Sequence, residues 1–260
     1  MEDRFVPVLD VVRSVRPLLM PHWGTAKAVN HKVERHNSPV TALDMAAEAH
    51  LKQKLEAFDS SIAFVGEEQG GDRSATKFWL VDPIDGTDAF MRGLPHCTTM
   101  IALIEEGRPQ FSAIYNFVQD ELYYAEKGKG AYKNGERIYV SERQPPEAMV
   151  GLESDMSKEK NVQIFTQLRT TCSFFKTMTA GYEFSLVASG KIEGRICVDP
   201  FGEDYDFAPG ALLVAEAGGV VANLGSSTYD YRNLNFIAAN RPVYKALTEG
   251  PDAVFPSHIA

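Results

Sequence analysis

Apolar positions at Phe5, Val8, Leu9, Val12 and Val15 recur at helical spacing, which predicts an amphipathic helix over residues 2–19, bent or ended by Pro17. Residues 29–39 are polar, with His31, Lys32, Arg35, Asn37 and Ser38, and read as a mobile loop or an extended strand pair. A capping-box start at Thr41-Ala42-Leu43-Asp44 then opens a second helix with Ala47, Leu51, Leu55 and Phe58 on one face. Short buried strands are expected at 62–65, ending at Gly66, and at 78–81, ending at Asp82.

The period changes after residue 98. Runs at 99–104, 109–117, 121–125 and 137–140 are β-rich and split by turn signals at Glu106-Gly107, Gln119-Asp120 and Asn134-Gly135, an antiparallel meander. Beyond Pro145-Pro146 the chain alternates: strands near 149–152, 173–177, 193–198 and 235–239, helices near 158–168, 182–188 and 205–216. Mixed helix and sheet in layers is the expected α+β architecture, in two halves, 1–145 and 146–260, forming one compact unit.

Composition narrows the function classes. A net charge of −9 and the lack of any long Lys/Arg run argue against a nucleic-acid groove. Acidity is compatible with phosphate when divalent cations lie between. Cys97, Cys172 and Cys197 are odd in number and widely spaced, which points to reduced thiols and a cytoplasmic protein without a Cys-based zinc site. The start lacks a signal-peptide pattern and no stretch reaches membrane-span length, so no membrane association is expected. The six histidines show no metal spacing; His96, after Pro95, is expected at the surface or in packing, with a place bordering the site as the alternative.

The densest acidic motif is Trp79-Leu80-Val81-Asp82-Pro83-Ile84-Asp85-Gly86-Thr87. Apolar residues deliver the chain from the core, Pro83 stiffens the turn between two carboxylates, and Gly86 allows close backbone approach. A helix starting near Thr87 would point free amides at the same place. Hard oxygen donors beside a helix start describe a site where magnesium and phosphate meet. Glu67 and Glu68 follow a strand, Asp44 lies in a first helical turn, and Asp204 and Asp206 precede or open a helix.

These segments resemble the inositol monophosphatase family of lithium-sensitive, magnesium-dependent phosphatases. Asp82-Pro83-Ile84-Asp85-Gly86-Thr87 with Phe90 matches its first signature, Gly66-Glu67-Glu68 its upstream acidic pair, and Pro39-Val40-Thr41 with Asp44 a further segment. Tyr205-Asp206-Phe207-Ala208, running to Glu216-Ala217-Gly218-Gly219, resembles the second signature. The resemblance implies a layered αβαβα sandwich of the sugar-phosphatase type, with an antiparallel-rich first sheet and a mixed second one. It implies two magnesium ions, with a third weaker site shared by Glu67. Glu67, Asp82 and the Ile84 carbonyl would hold one ion, and Asp82, Asp85 and Asp206 the other. Asp44 and Thr87 would hold and polarise the attacking water, and Glu67 is the third catalytic residue implied. Asp85, Gly86, Thr87, Thr179, Ala180, Asp199 and Asp206 would meet the substrate. A homodimer acting on a small phosphorylated metabolite is implied.

The chain departs from the family pattern in three places. Tyr205 stands where Trp is usual and Pro209 where a small residue is; the loop around Asn37-Ser38-Pro39 is short, which bears on the third ion. A Glu that holds ring hydroxyls is replaced in a simple alignment by Cys197, with Asp199 as its substitute. Inositol 1-phosphate or a similar polyol or sugar phosphate is the expected substrate. The alternatives are a 3′-phosphoadenosine nucleotide or histidinol phosphate, both disfavoured by Asp88 where those enzymes carry Lys, and fructose 1,6-bisphosphate. A catalytically weak regulatory protein of the same fold is the alternative of another class, and the full set of carboxylates weighs against it.

Overall fold

The computed structural model describes residues 5–32 and 38–256. Helices α1 (Val6–Arg13) and α2 (Arg16–Leu19) replace the single expected helix. The break falls at Ser14-Val15 rather than at Pro17, because Pro17 has no N–H to give the carbonyl of Arg13 and sits instead in the first turn of α2. Residues 2–4 of that expected helix lie outside the described residues. The polar stretch is a strand pair, β1 (Ala28–Lys32) and β2 (Ser38–Thr41), and α3 (Ala42–Phe58) follows with the expected capping box.

The first sheet has eight strands: β3 (Ala63–Gly66), β4 (Gly70–Gly71), β5 (Lys77–Asp85), β6 (Thr98–Glu105), β7 (Arg108–Asn116), β8 (Glu121–Glu126), β9 (Gly130–Lys133) and β10 (Glu136–Ile138). Their order is β10-β9-β8-β7-β6-β5-β3-β4, and only the β3–β5 pair is parallel. Between β5 and β6 lies α4 (Thr87–Met91). Glu106-Gly107 and Asn134-Gly135 both turn through positive φ, as two-residue hairpins require.

The second sheet is mixed, in the order β12-β11-β13-β15-β14. It comprises β11 (Met149–Ser154), β12 (Ser173–Lys176), β13 (Gly194–Val198), β14 (Val220–Asn223) and β15 (Phe236–Ala239). Its helices are α5 (Glu159–Leu168), α6 (Ala180–Ala188), α7 (Asp204–Glu216) and α8 (Arg241–Thr248). Strands β4, β9 and β14 and helix α8 are additions to the expected elements.

Alternate residues of the first sheet serve two cores. Trp79, Ile101, Leu103 and Phe111 pack under α1 and α3 with Val8, Val12, Leu51 and Leu55. Met100, Ile114 and Tyr123 point the other way, to Phe184 of α6 and Phe207 and Leu213 of α7, and onward to Phe236 of the second sheet. The far face of the second sheet packs Ile196, Val198 and Ile237 against Leu168 of α5 and Val243 and Leu247 of α8. Five layers result, α/β/α/β/α, and a sheet buried on both faces explains the near-continuous apolar runs of β5 and β6. We propose residues 1–145 and 146–260 as halves of one folding unit, because the middle helices share a core with both sheets.

Helices α6 and α7 approach closely at Gly210, where an added Cβ would lie 2.0 Å from the Phe184 ring. Gly210→Ala is therefore expected to cost about 1–3 kcal/mol through overpacking, read as a lower urea midpoint with unchanged denaturant slope.

Candidate active and metal site

Asp82 and Asp85 are three residues apart, which in a regular strand would place them on opposite faces. Strand β5 avoids this with a bulge. Asp82 pairs with Met100 and Asp85 with Thr98, so three steps on β5 oppose two on β6. The extra residue brings both carboxylates to one side. Pro83 is tolerated there because the interrupted ladder does not need its N–H, and the Thr99 hydroxyl donates to the Pro83 carbonyl at 2.8 Å. The strand thus runs through the motif, where the sequence had suggested a turn after Asp82.

Asp206 joins them from the first turn of α7, where its Oδ2 accepts the Glu203 amide at 2.6 Å. Carboxylate oxygens of Asp82, Asp85 and Asp206 lie within 4.8 Å of one another. Glu67 enters from the turn after β3, its amide donating to the Val81 carbonyl at 3.0 Å. These residues, with Ile84, Gly86, Thr87 and Thr179, line one cleft of about 230 Å³.

Asp44 stands behind Thr87. One of its oxygens accepts the Thr41 amide and hydroxyl at 2.7 and 2.6 Å; the other accepts the Thr87 hydroxyl at 2.8 Å. The cap of α3 therefore holds a carboxyl oxygen against the Thr87 hydroxyl at the cleft. Gly86 opens α4 at φ +84°, and a Cβ there would lie 2.5 Å from the Thr179 methyl, so the turn admits no side chain.

Burial drives the Asp82 carboxyl well above its ordinary range, and the neighbouring charges of Glu67, Asp206 and Asp85 add to it. Asp206 is raised well above its ordinary range by burial, then by Glu67 and Asp85. Asp85 reaches only about 6, because burial is opposed by the Gly181 amide, the Thr98 hydroxyl, Arg195 and the Ala180 amide. The Oδ1 of Asp82 is buried with no hydrogen-bond partner. A buried orphan oxygen among converging carboxylates fits a hard divalent cation, which supplies both the missing partner and the missing charge.

Two expected residues, Ala180 and Asp199, fall elsewhere, and so does Cys197, which aligns with the family's ring-binding Glu. The Ala180 amide is spent on Asp85 Oδ1 at 3.2 Å, beside that of Gly181 on Oδ2 at 2.8 Å, so the α6 start faces Asp85. Asp199 lies outside the cleft lining. Lys160 at 2.9 Å, Asn161 at 3.1 Å and Lys158 at 3.3 Å hold it, and it lines a separate pocket with Asp155 and Arg232. Cys197 is fully buried in the middle core beside Phe184 and Phe207. His96, expected at the surface or in packing ahead of a place bordering the site, is half-buried and lines the cleft.

Two buried charge systems escaped the sequence reading. Glu48, one turn beyond Asp44, is fully buried and accepts the amides of Glu68 at 2.7 Å and Gln69 at 2.9 Å, fixing the turn that carries Glu67. Its only sequence signal is a carboxylate beside the apolar face of α3. Arg195 is buried between Glu153 and Glu183. Glu183 also holds Thr177 and the Met178 amide before α6, and Glu153 accepts the amides of Phe201 and Gly202 at 2.9 Å before α7. One ion cluster thus sets the approach to both helix starts.

Because the cluster carboxyls bind protons more tightly folded than unfolded, the metal-free protein loses stability as pH rises from about 4 through the raised values, about 6 for Asp85. Asp82→Asn removes one repelling charge. Metal-free Asp82→Asn protein is expected to melt above the parent at pH 8, with the gain vanishing near pH 4, in thermal melts with chelator present. A parent that melts higher at pH 8 would contradict this electrostatic account.

The model of the inositol monophosphatase family matches residues 5–252. The chain is 34% identical over 254 residues to tomato (Solanum lycopersicum) inositol monophosphatase 2, covering 92% of this chain and 94% of the relative. It is 30% identical over 243 residues to a Thermotoga maritima fructose-1,6-bisphosphatase/inositol-1-monophosphatase, covering 92% and 91%. Escherichia coli Nus factor SuhB is 30% identical over 257 residues, covering 93% and 94%. Among solved structures, a Thermotoga maritima IMPase superposes with a TM-score of 0.85 at 27% identity, covering 94% and 95%. The chain belongs to the inositol monophosphatase family and is a phosphoric monoester hydrolase.

Proposed function

We propose that the protein hydrolyses a small phosphate monoester with magnesium. The buried, partnerless Asp82 oxygen within the Asp82–Asp85–Asp206 cluster carries this reading. Glu67, Asp82 and the Ile84 carbonyl would hold one ion; Asp82, Asp85 and Asp206 a second; Glu67 would share a weaker third. Bound magnesium supplies positive charge that makes water a nucleophile near neutral pH and stabilises an in-line displacement at phosphorus.

The chain's own groups do the rest. Asp44 accepts the hydrogen bond of the Thr87 hydroxyl, leaving the hydroxyl oxygen's lone pairs to accept from the attacking water and orient it along the phosphorus–oxygen axis. Gly86 and Thr87 present main-chain amides to the phosphate, in a turn too tight for a side chain. Asp85 is held by two α6 amides and by Thr98, so its oxygens cannot swing when the cluster is charged.

Inositol 1-phosphate or a similar polyol or sugar monoester is the substrate class the family resemblance suggests, and the bisphosphatase named for the Thermotoga relative supplies a second reading. A small phosphorylated metabolite and a second copy of the chain are the proposed partners. The net charge of −9 weighs against nucleic acid, and among the described residues no helix is long and apolar enough to cross a membrane. We infer a cytoplasmic setting from three buried free cysteines.

Asp82→Asn should abolish magnesium-dependent phosphate release. Thr87→Ala should keep magnesium affinity by calorimetry but lower kcat by roughly 10²–10⁴-fold, as expected for losing an oriented nucleophile. Unchanged turnover in Asp82→Asn, or lost magnesium binding in Thr87→Ala with the fold intact, would overturn the assignment.

A further inference from the structure

Once the carboxylates, Gly86 and Thr87 are committed to cations and phosphate, little of the cleft lining remains for the alcohol half of the ester. Asp88 is turned onto Arg92 at 2.9 Å, and Ala89 is buried. Thr179 gives its hydroxyl to the His96 carbonyl at 2.7 Å. The remaining wall is Leu94, His96 and Met178. Leu94 is 40% exposed and Met178 41%, two large apolar side chains left open to water at the cleft.

This wall is a built surface. Leu94 and His96 follow α4, Met178 precedes α6, and the Thr179–His96 hydrogen bond joins the two segments. The Leu94 amide donates to the Ala89 carbonyl at 2.9 Å, and its carbonyl accepts Trp23 Nε1 at 3.2 Å. The Met178 amide is held by Glu183, itself locked to buried Arg195. The His96 ring lies 6.0 Å from that of Tyr182. The wall also touches the phosphate turn, since a Cβ on Gly86 would lie 2.5 Å from Thr179 Cγ2 and 3.2 Å from the His96 carbonyl. The segments that carry the wall therefore flank the place where a phosphate at Gly86–Thr87 would bear its alcohol.

A polyol ring needs the opposite surface, with side chains that exchange hydrogen bonds with each hydroxyl. Among the described residues lining the cleft there is no Asn, Gln, Lys or Arg, and outside the cation and phosphate groups only the His96 ring and exposed Asp88, paired with Arg92, could exchange side-chain hydrogen bonds with an alcohol. Asp199, the expected partner for ring hydroxyls, is held by two lysines in another pocket.

We propose that the substrate is a phosphate monoester whose alcohol carries an apolar or aromatic group close to the phosphate, selected by Leu94, Met178 and His96. The inference rests on the phosphatase reading above and narrows its substrate class away from polyols. Leu and Met side chains gain by covering an apolar face, thioether sulfur packs well on aromatic rings, and the imidazole adds a flat partner.

The test uses the full chain with magnesium and three alkyl esters: 2-phenylethyl phosphate, glycerol 2-phosphate and myo-inositol 1-phosphate. Alkyl leaving groups keep intrinsic reactivity comparable, which aryl phosphates would not. The expected result is a kcat/KM for 2-phenylethyl phosphate at least about tenfold above both polyol esters, carried mainly by KM. In Leu94→Ser and Met178→Ser proteins that preference should fall toward unity; both sites are exposed, and a thermal melt verifies folding. Preference for inositol 1-phosphate, or a ratio indifferent to both substitutions, would overturn the inference while leaving the phosphatase reading standing. No hydrolysis of any ester would overturn both.

Discussion

Mutual repulsion among buried carboxylates is the constraint on which the site depends. Asp82 and Asp85, both buried, and half-buried Asp206 bring oxygens within 4.8 Å of one another at the floor of the cleft. Such a cluster is unfavourable unless protons or cations enter it. The fold therefore has to hold these groups against their own charge. The β5 bulge turns two of them to one side, the capping box of α7 fixes the third, and the α6 amides pin Asp85. The site is assembled from helix starts and one irregular strand, places where backbone amides are available to steady anions.

The supporting charges follow the same logic one step further out. Glu48 ties the Glu67 turn to α3, and Arg195 joins β13 to Glu153 and Glu183, which govern the approaches to α7 and α6. A buried ion pair contributes little net stability against an apolar alternative, but breaking one is costly. Its value here is geometric: segments distant in sequence meet at one place and cannot drift independently. The rings of Phe184 and Phe207, 5.4 and 5.5 Å from the Arg195 guanidinium, carry this network into the middle core.

The cleft then divides by chemistry. One side is oxygen-rich and suits cations and phosphate, and the other is Leu94, His96 and Met178. On the proposed reading, reaction and selectivity fall to different segments, the first to β5 and the starts of α3, α4, α6 and α7, the second to the approaches to β6 and α6. Such a division lets one hydrolytic apparatus accept different alcohols by changing a few side chains on one wall.

The sequence by itself determined the reaction and most of the elements, because both are written locally. Asp82–Thr87 is contiguous, the Thr41–Asp44 cap is a four-residue pattern, and Asn134-Gly135 demands its turn through φ alone. Helical and strand periods found the long elements but not the two-residue β4 or the short β9 and β14, whose apolar positions are too few to show a period; α8, with Val243, Tyr244 and Leu247 at helical spacing, is legible in the sequence although it is not among the expected elements. Only the tertiary structure decided what depends on distant partners. That Asp82 and Asp85 share a side required the register against β6, and that Glu48 serves the Glu67 turn required residues 20 positions apart to meet. That Ala180 faces Asp85, that Asp199 belongs to Lys158 and Lys160, and that an apolar wall borders the phosphate turn were equally beyond local reading. A side chain's partners are set by packing across the fold, and hydrophobic period and motif spacing carry no record of them.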